Sequence, residues 1–173
     1  MTADKTRKEE GATSLLNAIN QHPLAGNDYL ACIQCGRCVG SCPAAKVSEK
    51  FNMRVINQRI IENDTTLLAD ETIWDCFYCQ SCVNLCPRDN IDSYKTILIL
   101  RDLALDQGHG LQHMKNILPI MRWYIEKGVL TDGPSWMEPR ALDEVRKINE
   151  ITGLNERVHG LEQKLRKASA AKE

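Results

Sequence analysis

The sequence is short of the residues on which several large classes of protein depend. With 173 residues, the chain leaves no room for a large multidomain catalyst. No apolar run approaches the about 18 residues that a membrane span requires; the best candidate, residues 97–100, is followed at once by Arg101 and Asp102. Aromatic residues make up only 5% of the chain, which is few for an all-β sandwich. The composition therefore favours an all-α fold.

The chain also lacks an excess of charge of either sign. It has 22 Lys and Arg against 23 Asp and Glu, a formal charge of −1. Such a balance creates no strong field to attract nucleic acid or an anionic membrane surface. The first residues, MTADKTRKEEGATS, contain no apolar stretch of the kind found in a secretory signal. We therefore expect a cytoplasmic protein with neither nucleic acid nor membrane as a partner.

Motifs of catalytic sites are missing as well. The sequence has no GxxxxGK[ST] loop, no GxGxxG after a strand, and no cysteine left over to act as a nucleophile. His109 and His113 have a spacing that could bind metal on one helical face, but no third ligand accompanies them, so they are interpreted as surface or interface histidines. Flavin, nucleotide and substrate chemistry is thus expected on other chains.

Hydrophobic periodicity predicts a series of helices and no convincing strand. The first two helices are expected over residues 14–20 and 47–63. A third is capped by Asp89 or Asn90 and ends at Gly108. A fourth covers residues 111–126, with a kink or restart at Pro119 and an end at Gly128, and residues 141–172 are helical with a break near Gly153. Residues 1–12 are predicted to be flexible and residues 130–138 to form a loop.

We predict three segments along the chain. Residues 1–24 form an N-terminal segment with a short helix, residues 25–108 a core, and residues 109–173 a helical extension. Aliphatic residues recur every three or four positions from Leu142 to Leu165. Such a stripe either packs on the chain's own core or docks on a partner, and the sequence leaves both possibilities open.

Cysteine is the residue that the chain has in excess. All eight cysteines fall in two runs of the form CxxCxxCxxxCP: Cys32, Cys35, Cys38 and Cys42 before Pro43, and Cys76, Cys79, Cys82 and Cys86 before Pro87. This is the known bacterial ferredoxin pattern for binding two [4Fe–4S] clusters. Because cytosolic thiols are kept reduced, metal ligation is favoured over a disulfide framework.

The spacing also predicts which cysteines share a cluster. Three thiolates on one tight loop reach three irons of a cubane, and the fourth iron, which faces away, needs a ligand from elsewhere. The proline after the fourth cysteine turns the chain away from its own loop. We therefore predict a crossed arrangement, with one cluster on Cys32, Cys35, Cys38 and Cys86 and the other on Cys76, Cys79, Cys82 and Cys42.

The cysteines allow two other interpretations. Zinc is bound by pairs of CxxC cysteines, but such a site does not need a third cysteine two residues further on. Clusters could instead be structural staples of a binding protein with no redox role.

Residues within the two runs could tune or shield the clusters. Gly36 and Gly40 would let the backbone approach a cluster, and Arg37 and Arg88 are the nearest cations in sequence. The second run also carries three aromatic residues, which either shield a cluster from water or only pack: Trp74, Phe77 and Tyr78.

The sequence resembles the C subunit of heterodisulfide reductase from methanogenic archaea. The resemblance lies in the two motifs, the residues 43–75 between them, the segment WDCFYCQSCVNLCPRD and the helical tail. The resemblance implies an α-helical ferredoxin fold with two [4Fe–4S] clusters ligated by the eight cysteines. It also implies an electron-transfer role between a flavin-bearing A subunit and a B subunit that reduces the coenzyme M–coenzyme B disulfide in methanogenesis.

The same resemblance implies a larger complex with a hydrogenase or a formate dehydrogenase. The cysteine-rich CCG segments of the B subunit are absent from this sequence, so the chain is expected to be a non-catalytic subunit of an oxidoreductase. The paired motifs also occur in the iron–sulfur subunits of succinate dehydrogenase and fumarate reductase. A subunit of a related disulfide-linked or quinone-linked reductase therefore remains an alternative.

Overall fold

The computed structural model describes residues 14–130 and 139–171, and it contains only helices, 3₁₀ turns and irregular segments within them. The predicted all-α fold class is confirmed. The helices are α1 Leu15–Gln21, α2 Arg37–Gly40, α3 Pro43–Val47, α4 Met53–Ile61, α5 Ser81–Asn84, α6 Ser93–Asp106, α7 Leu111–Met114, α8 Leu118–Lys127, α9 Pro139–Ile151 and α10 Leu154–Ala170. None of these helices combines the length and the apolar content needed to cross a bilayer.

The chain divides into two compact units, Met1–Ala104 and Leu105–Glu173. The predicted division into three segments stays a prediction. The first unit is built on a cluster of buried aliphatic and aromatic side chains from α1, α4, α6 and the 3₁₀ turns between them. Helix α1, predicted from residue 14, is attached to α4 through Asn63, whose Oδ1 accepts hydrogen bonds from the Ser14 hydroxyl and the Leu15 amide at 2.8 and 2.6 Å.

The segment between the two cysteine runs differs from the single predicted helix over residues 47–63. The structure has α3 before Ser48 and a separate helix α4 from Met53. Asn52 Oδ1 accepts hydrogen bonds from the amides of Arg54 and Val55 at 3.1 and 3.2 Å, and this cap starts a new helix where the periodicity suggested a continuous one. Val47 is consequently 73% exposed and does not belong to the apolar face to which it was assigned.

Helix α6 begins later than predicted because its cap is Asp92 rather than Asp89 or Asn90. Asp92 Oδ1 accepts hydrogen bonds from the Tyr94 and Lys95 amides at 2.9 and 3.1 Å. The helix ends at Asp106, two residues before the predicted Gly108. Gly108 has a φ of +85°, a left-handed conformation that suits glycine at the end of a helix.

The predicted breaks in the second unit are confirmed. Pro119 lies in the first turn of α8, so the chain restarts there after the short α7, and α8 ends at Gly128 with a φ of +75°. Gly153, with a φ of +67°, separates α9 from α10. Helix α10 packs against α7, α8 and α9, and Arg122 Nε donates to Glu162 Oε1 at 2.8 Å.

The aliphatic stripe of the tail is divided between the interior and the surface of this unit. Val158 and Leu161 are buried, whereas Ile148 and Ile151 are 56% and 85% exposed. The predictions for residues 1–12 and 131–138 lie outside the described residues.

Candidate metal centres

The two cysteine runs have the same backbone course. The residue two positions after the first cysteine has a left-handed φ in both runs, +54° at Gln34 and +55° at Tyr78. The residue after the second cysteine is left-handed as well, at Gly36 and at Gln80. Each run then enters one short helix, α2 or α5, that carries the third cysteine. These two left-handed positions, one on each side of the second cysteine, curl each loop so that its three cysteines line one cavity.

The two glycines of the first run differ in backbone conformation, and their approach to a cluster stays a prediction. Gly36 has a positive φ of 77°, which favours glycine. Gly40, in contrast, lies inside α2 without a left-handed φ, so its freedom is not used. Gln80 has no glycine to signal its left-handed conformation, and only the alignment of one run with the other reveals it.

Each cavity contains cysteines from both runs. The first, of about 380 Å³ with part of that space open to solvent, is lined by Cys32, Cys35, Cys38 and Cys86. The second, of about 400 Å³, is lined by Cys42, Cys76, Cys79 and Cys82. Helices α2 and α5 pack against each other, which places the fourth cysteine of each run beside the loop of the other. The structure thus brings together the side chains that the sequence analysis grouped, and their ligation of iron stays a prediction.

Burial and neighbouring thiols raise the pKa of the third cysteine of each run. Burial raises the pKa of Cys38, and the neighbouring charges of Cys32 and Cys35 raise it further. In the second cavity, burial together with the charges of Cys76 and Cys42 raises the pKa of Cys82 to about 11. Such crowded thiols become thiolates only when positive charge is placed among them. The donor set therefore fits an iron–sulfur core, whose irons supply that charge.

The outer cysteine of the second loop behaves differently. The hydrogen bond with the Ser81 hydroxyl lowers the pKa of Cys79, which is exposed. Burial raises the pKa of Cys76, although the Tyr78 amide and the positive charge of Arg101 oppose that rise.

Other candidate ligands are not assembled. Within residues 14–130 and 139–171, no group of three or more His, Cys, Asp or Glu side chains is arranged to hold a single metal ion. His109 and His113 line neither cysteine cavity.

The first cavity is surrounded by arginine. Arg37 and Arg88, which the sequence analysis noted, both line it, and so does Arg54 from α4. Arg54 escaped the sequence analysis because its position depends on the packing of α4 against α2, which no local pattern reveals. Asn57 also lines this cavity. The residue is 2% exposed, and its Oδ1 has no hydrogen-bond partner among the residues that the structure describes.

The second cavity is surrounded by aromatic and aliphatic side chains. Phe77 and Tyr78 line it together with Tyr94, whose ring meets that of Tyr78 edge-on with centroids 5.7 Å apart. Phe77 is nevertheless 57% exposed. Trp74, the third aromatic residue considered in the sequence, does not line the cavity.

Arg101 of α6 is a further residue at the second loop that sequence reasoning missed. Its Nε donates to the Ile73 carbonyl at 2.9 Å and its Nη2 to the Cys76 carbonyl at 3.1 Å. Its Nη1 donates to the Tyr78 hydroxyl. The guanidinium also lies over the rings of Trp74 and Tyr78, with its carbon 5.1 and 4.4 Å from their centroids. No spacing rule connects Arg101 with a loop 25 residues away.

Comparison with known families agrees with this site. Residues 28–90 match the family of 4Fe-4S dicluster domains, a range that includes all eight cysteines. This part of the chain is therefore similar to 4Fe–4S dicluster domains.

Curated relatives are C subunits of heterodisulfide reductase. One, the C subunit of the ferredoxin:CoB-CoM heterodisulfide reductase of Methanosarcina acetivorans, is 39% identical over 97 residues, covering 56% of this chain and 38% of the relative. A protein of Archaeoglobus profundus that is named as similar to the heterodisulfide reductase C subunit is 29% identical over 77% of this chain and 78% of the relative. The C subunit of the H(2):CoB-CoM heterodisulfide,ferredoxin reductase of Methanothermobacter marburgensis is 27% identical over 76% and 80%.

The match spans only part of several of these proteins. The chain covers 38%, 51% and 48% of the lengths of three relatives that are 37% to 39% identical to it. The predicted resemblance to heterodisulfide reductase C subunits is confirmed, and these homologues are subunits of an oxidoreductase.

Proposed function

We propose that this homologue of heterodisulfide reductase C subunits holds two [4Fe–4S] clusters and relays electrons within a heterodisulfide reductase complex. The observation that carries the proposal is the pair of cavities in the first unit, each lined by four cysteines, three from one run and one from the other. Four thiolates per site is the ligand number of a [4Fe–4S] cluster. When bound, each cluster supplies a site that accepts and releases one electron.

The ligand assignment follows the cavities. Cys32, Cys35 and Cys38 with Cys86 hold one cluster, and Cys76, Cys79 and Cys82 with Cys42 hold the other. Because each run contributes to both sites, neither cluster can move away from the other without breaking a ligand bond. A fixed separation between two redox centres in one unit suits stepwise electron transfer.

The proposed partners follow from the resemblance of the sequence to heterodisulfide reductase C subunits. In this chain's complex, a flavin-bearing A-type subunit delivers electrons and a B-type subunit reduces the CoM–CoB disulfide. One relative, 37% identical over 91 residues, is named as an H(2)/formate:CoB-CoM heterodisulfide,ferredoxin reductase subunit, which supports a larger complex with a hydrogenase or a formate dehydrogenase. The cytoplasmic location expected from the sequence is part of the proposal. All eight cysteines line the two cavities, so we assign substrate chemistry to the partner subunits.

Metal analysis of the anaerobically purified chain tests the cofactor. Two cubanes require about eight irons and about eight acid-labile sulfides per chain. Stoichiometric zinc with little iron would contradict the proposal. Dithionite is expected to reduce both clusters reversibly, whereas clusters that cannot be reduced would indicate a structural role.

Reconstitution with the partner subunits tests the relay. The wild-type chain is expected to restore electron flow from the reduced flavin subunit to disulfide reduction. The matched variant is Cys79→Ala, which removes a ligand from the exposed edge of the second cavity and leaves the second unit unchanged. It should still assemble with the partners but support disulfide reduction far more slowly. Equal rates for the two chains would mean that electrons bypass the second cluster.

The exposed part of the tail stripe allows its two possible roles to be separated. Replacement of both Ile148 and Ile151 by Ser alters two exposed side chains and is expected to leave both clusters in place. Loss of partners from the anaerobically purified variant would indicate docking through this face. Retention of all partners would indicate that the stripe serves only the packing of Val158 and Leu161 within the second unit.

A further inference from the structure

We infer that Arg101 is the electrostatic positioning residue of the second cluster: it fixes the start of the second cysteine loop and its charge favours the reduced cluster. The inference rests on the proposed function, since it concerns the cluster assigned to Cys42, Cys76, Cys79 and Cys82. It goes beyond that function because it assigns an effect on only one of the two clusters to a residue that lies outside both cysteine runs.

The hydrogen bonds of Arg101 all reach the beginning of the second loop. Three nitrogens of its guanidinium donate to three successive points, the carbonyl of Ile73 at 2.9 Å, the carbonyl of Cys76 at 3.1 Å and the hydroxyl of Tyr78. Two of these points are backbone atoms on either side of the turn into the loop. A planar guanidinium with its donors in a fixed fork holds such a set more rigidly than an ammonium can.

The positive charge of Arg101 is also held beside the second loop. The rings of Trp74 and Tyr78 lie 5.1 and 4.4 Å from the guanidinium carbon, and aromatic faces stabilise a cation at such distances. Among the described residues, no carboxylate forms an ion pair with Arg101. Arg59, in contrast, is paired with Asp64 and Asp70 at 2.7 and 2.5 Å. No carboxylate of the described residues is therefore paired with Arg101 to cancel its field.

The consequence for electron transfer follows from charge balance. Reduction adds one electron, and so one negative charge, to a cluster whose thiolate ligands include Cys76. A cation held one hydrogen bond from the Cys76 backbone stabilises the more negative state, and charge and hydrogen bonding near the sulfurs are known determinants of cluster potential. The first cavity has three arginines on its lining, but none is held in a comparable clamp by the hydrogen bonds of the described residues.

A redox titration of the full chain tests this inference. Protein-film voltammetry, in which the electrode supplies the electrons, resolves one wave per cluster. The wave of the second cluster is identified as the one that Cys79→Ala removes or displaces. Arg101→Gln is expected to lower the ratio of reduced to oxidised second cluster about tenfold at a given potential, equivalent to about 59 mV for one electron. The first cluster should change by less than about threefold.

Two further variants separate charge from hydrogen bonding. Arg101→Lys keeps the charge and loses the fork, so the potential of the second cluster should stay within about threefold of the wild-type ratio. Arg59→Gln removes an arginine of the same unit that lines neither cavity, and it should move neither wave. A wild-type potential in Arg101→Gln with both clusters present would overturn the inference.

The remaining outcomes are also decisive. If Arg101→Gln fails to retain the second cluster, Arg101→Lys decides the question. If the second cluster of Arg101→Lys has the wild-type potential, the charge is responsible. A shift as large as tenfold in that variant would show that only the hydrogen bonds of the guanidinium matter, and would overturn the inference. Absence of the second cluster from the wild-type chain would instead contradict the proposed function itself, so the two failures are distinguishable.

Discussion

The loop that begins at Cys32 and the loop that begins at Cys76 are left-handed at the same two positions, yet the side chains around them differ. The first cavity is lined by three exposed arginines and a buried asparagine. The second is lined by aromatic and aliphatic side chains, with a single arginine held against the start of its loop. The backbone repeat provides two equivalent sets of four cysteines, and the neighbouring helices make the two cavities different. Under the proposed function, chain repetition determines which cofactor each cavity takes, whereas packing determines how that cofactor behaves.

Removal of the crossing cysteines is expected to have the largest effect on this comparison. Cys86→Ala should cost the chain the cluster of the first loop, and Cys42→Ala that of the second, because each lines the cavity of the other run. Iron should fall from about eight toward about four per chain in both variants. Anaerobic iron and sulfide analysis, with spectra of the remaining cluster, measures this.

The identity of the remaining cluster decides the result. Double variants provide the control. Adding Cys35→Ala to Cys86→Ala should remove no more iron, whereas adding Cys79→Ala should remove more. If Cys86→Ala instead left the first cluster intact and lost the second, each run would close its own site and the crossed assignment would be wrong.

A smaller effect is expected from the left-handed residue after the second cysteine, which is Gly36 in one loop and Gln80 in the other. Gly36→Ala should destabilise the protein by about 1–2 kcal/mol, since an L-residue is disfavoured at a φ of +77°. Among the described residues, no protein atom apart from those of the two chain neighbours lies within 4 Å of the added Cβ, so no protein clash adds to the backbone strain. A chain of this size should then unfold about 2–4 °C lower for each kcal/mol.

The second loop provides the reverse experiment. Gln80→Gly should change stability in the opposite direction and by less, because glycine relieves the strain but also increases the entropy of the unfolded chain. Gly40→Ala, inside α2 with open space around it, is the matched control and should not lower the unfolding temperature. Anaerobic circular dichroism records all three. An equal loss in Gly36→Ala and Gly40→Ala would show that the left-handed backbone is not what matters at Gly36.

The smallest effect is expected from the arginines of the first cavity. Arg37, Arg54 and Arg88 are exposed, so water and salt screen their charges. Replacing any one by Gln should lower the ratio of reduced to oxidised first cluster by less than about threefold in dilute buffer, and the difference should vanish near 1 M salt, where the screening length is about 3 Å. Voltammetry at two ionic strengths measures it. The shift caused by Arg101→Gln should survive the same salt, and a shift at Arg88 that salt leaves unchanged would contradict this distinction.

Several features of the fold and the site were accessible from the sequence because they depend on local chemistry. The paired cysteine runs predicted which four cysteines line each cavity, and Pro119, Gly128 and Gly153 marked helix boundaries through their own backbone preferences. The errors arose where two local signals competed. The periodicity of residues 47–63 suggested one helix, but the side chain of Asn52 satisfies two amides of α4 and begins it afresh. In the same way Asp92, rather than Asp89 or Asn90, caps α6.

By itself, the sequence determined that this chain is helical and carries two repeated four-cysteine motifs, because spacing, capping and periodicity act between residues close together along the chain. Only the tertiary structure decided which residues surround each motif. Arg54 reaches the first cavity because α4 packs against α2, and Arg101 reaches the second loop from α6, 25 residues along the chain from Cys76. Contacts of this kind depend on how helices pack in three dimensions, and a pattern of neighbouring residues does not encode them.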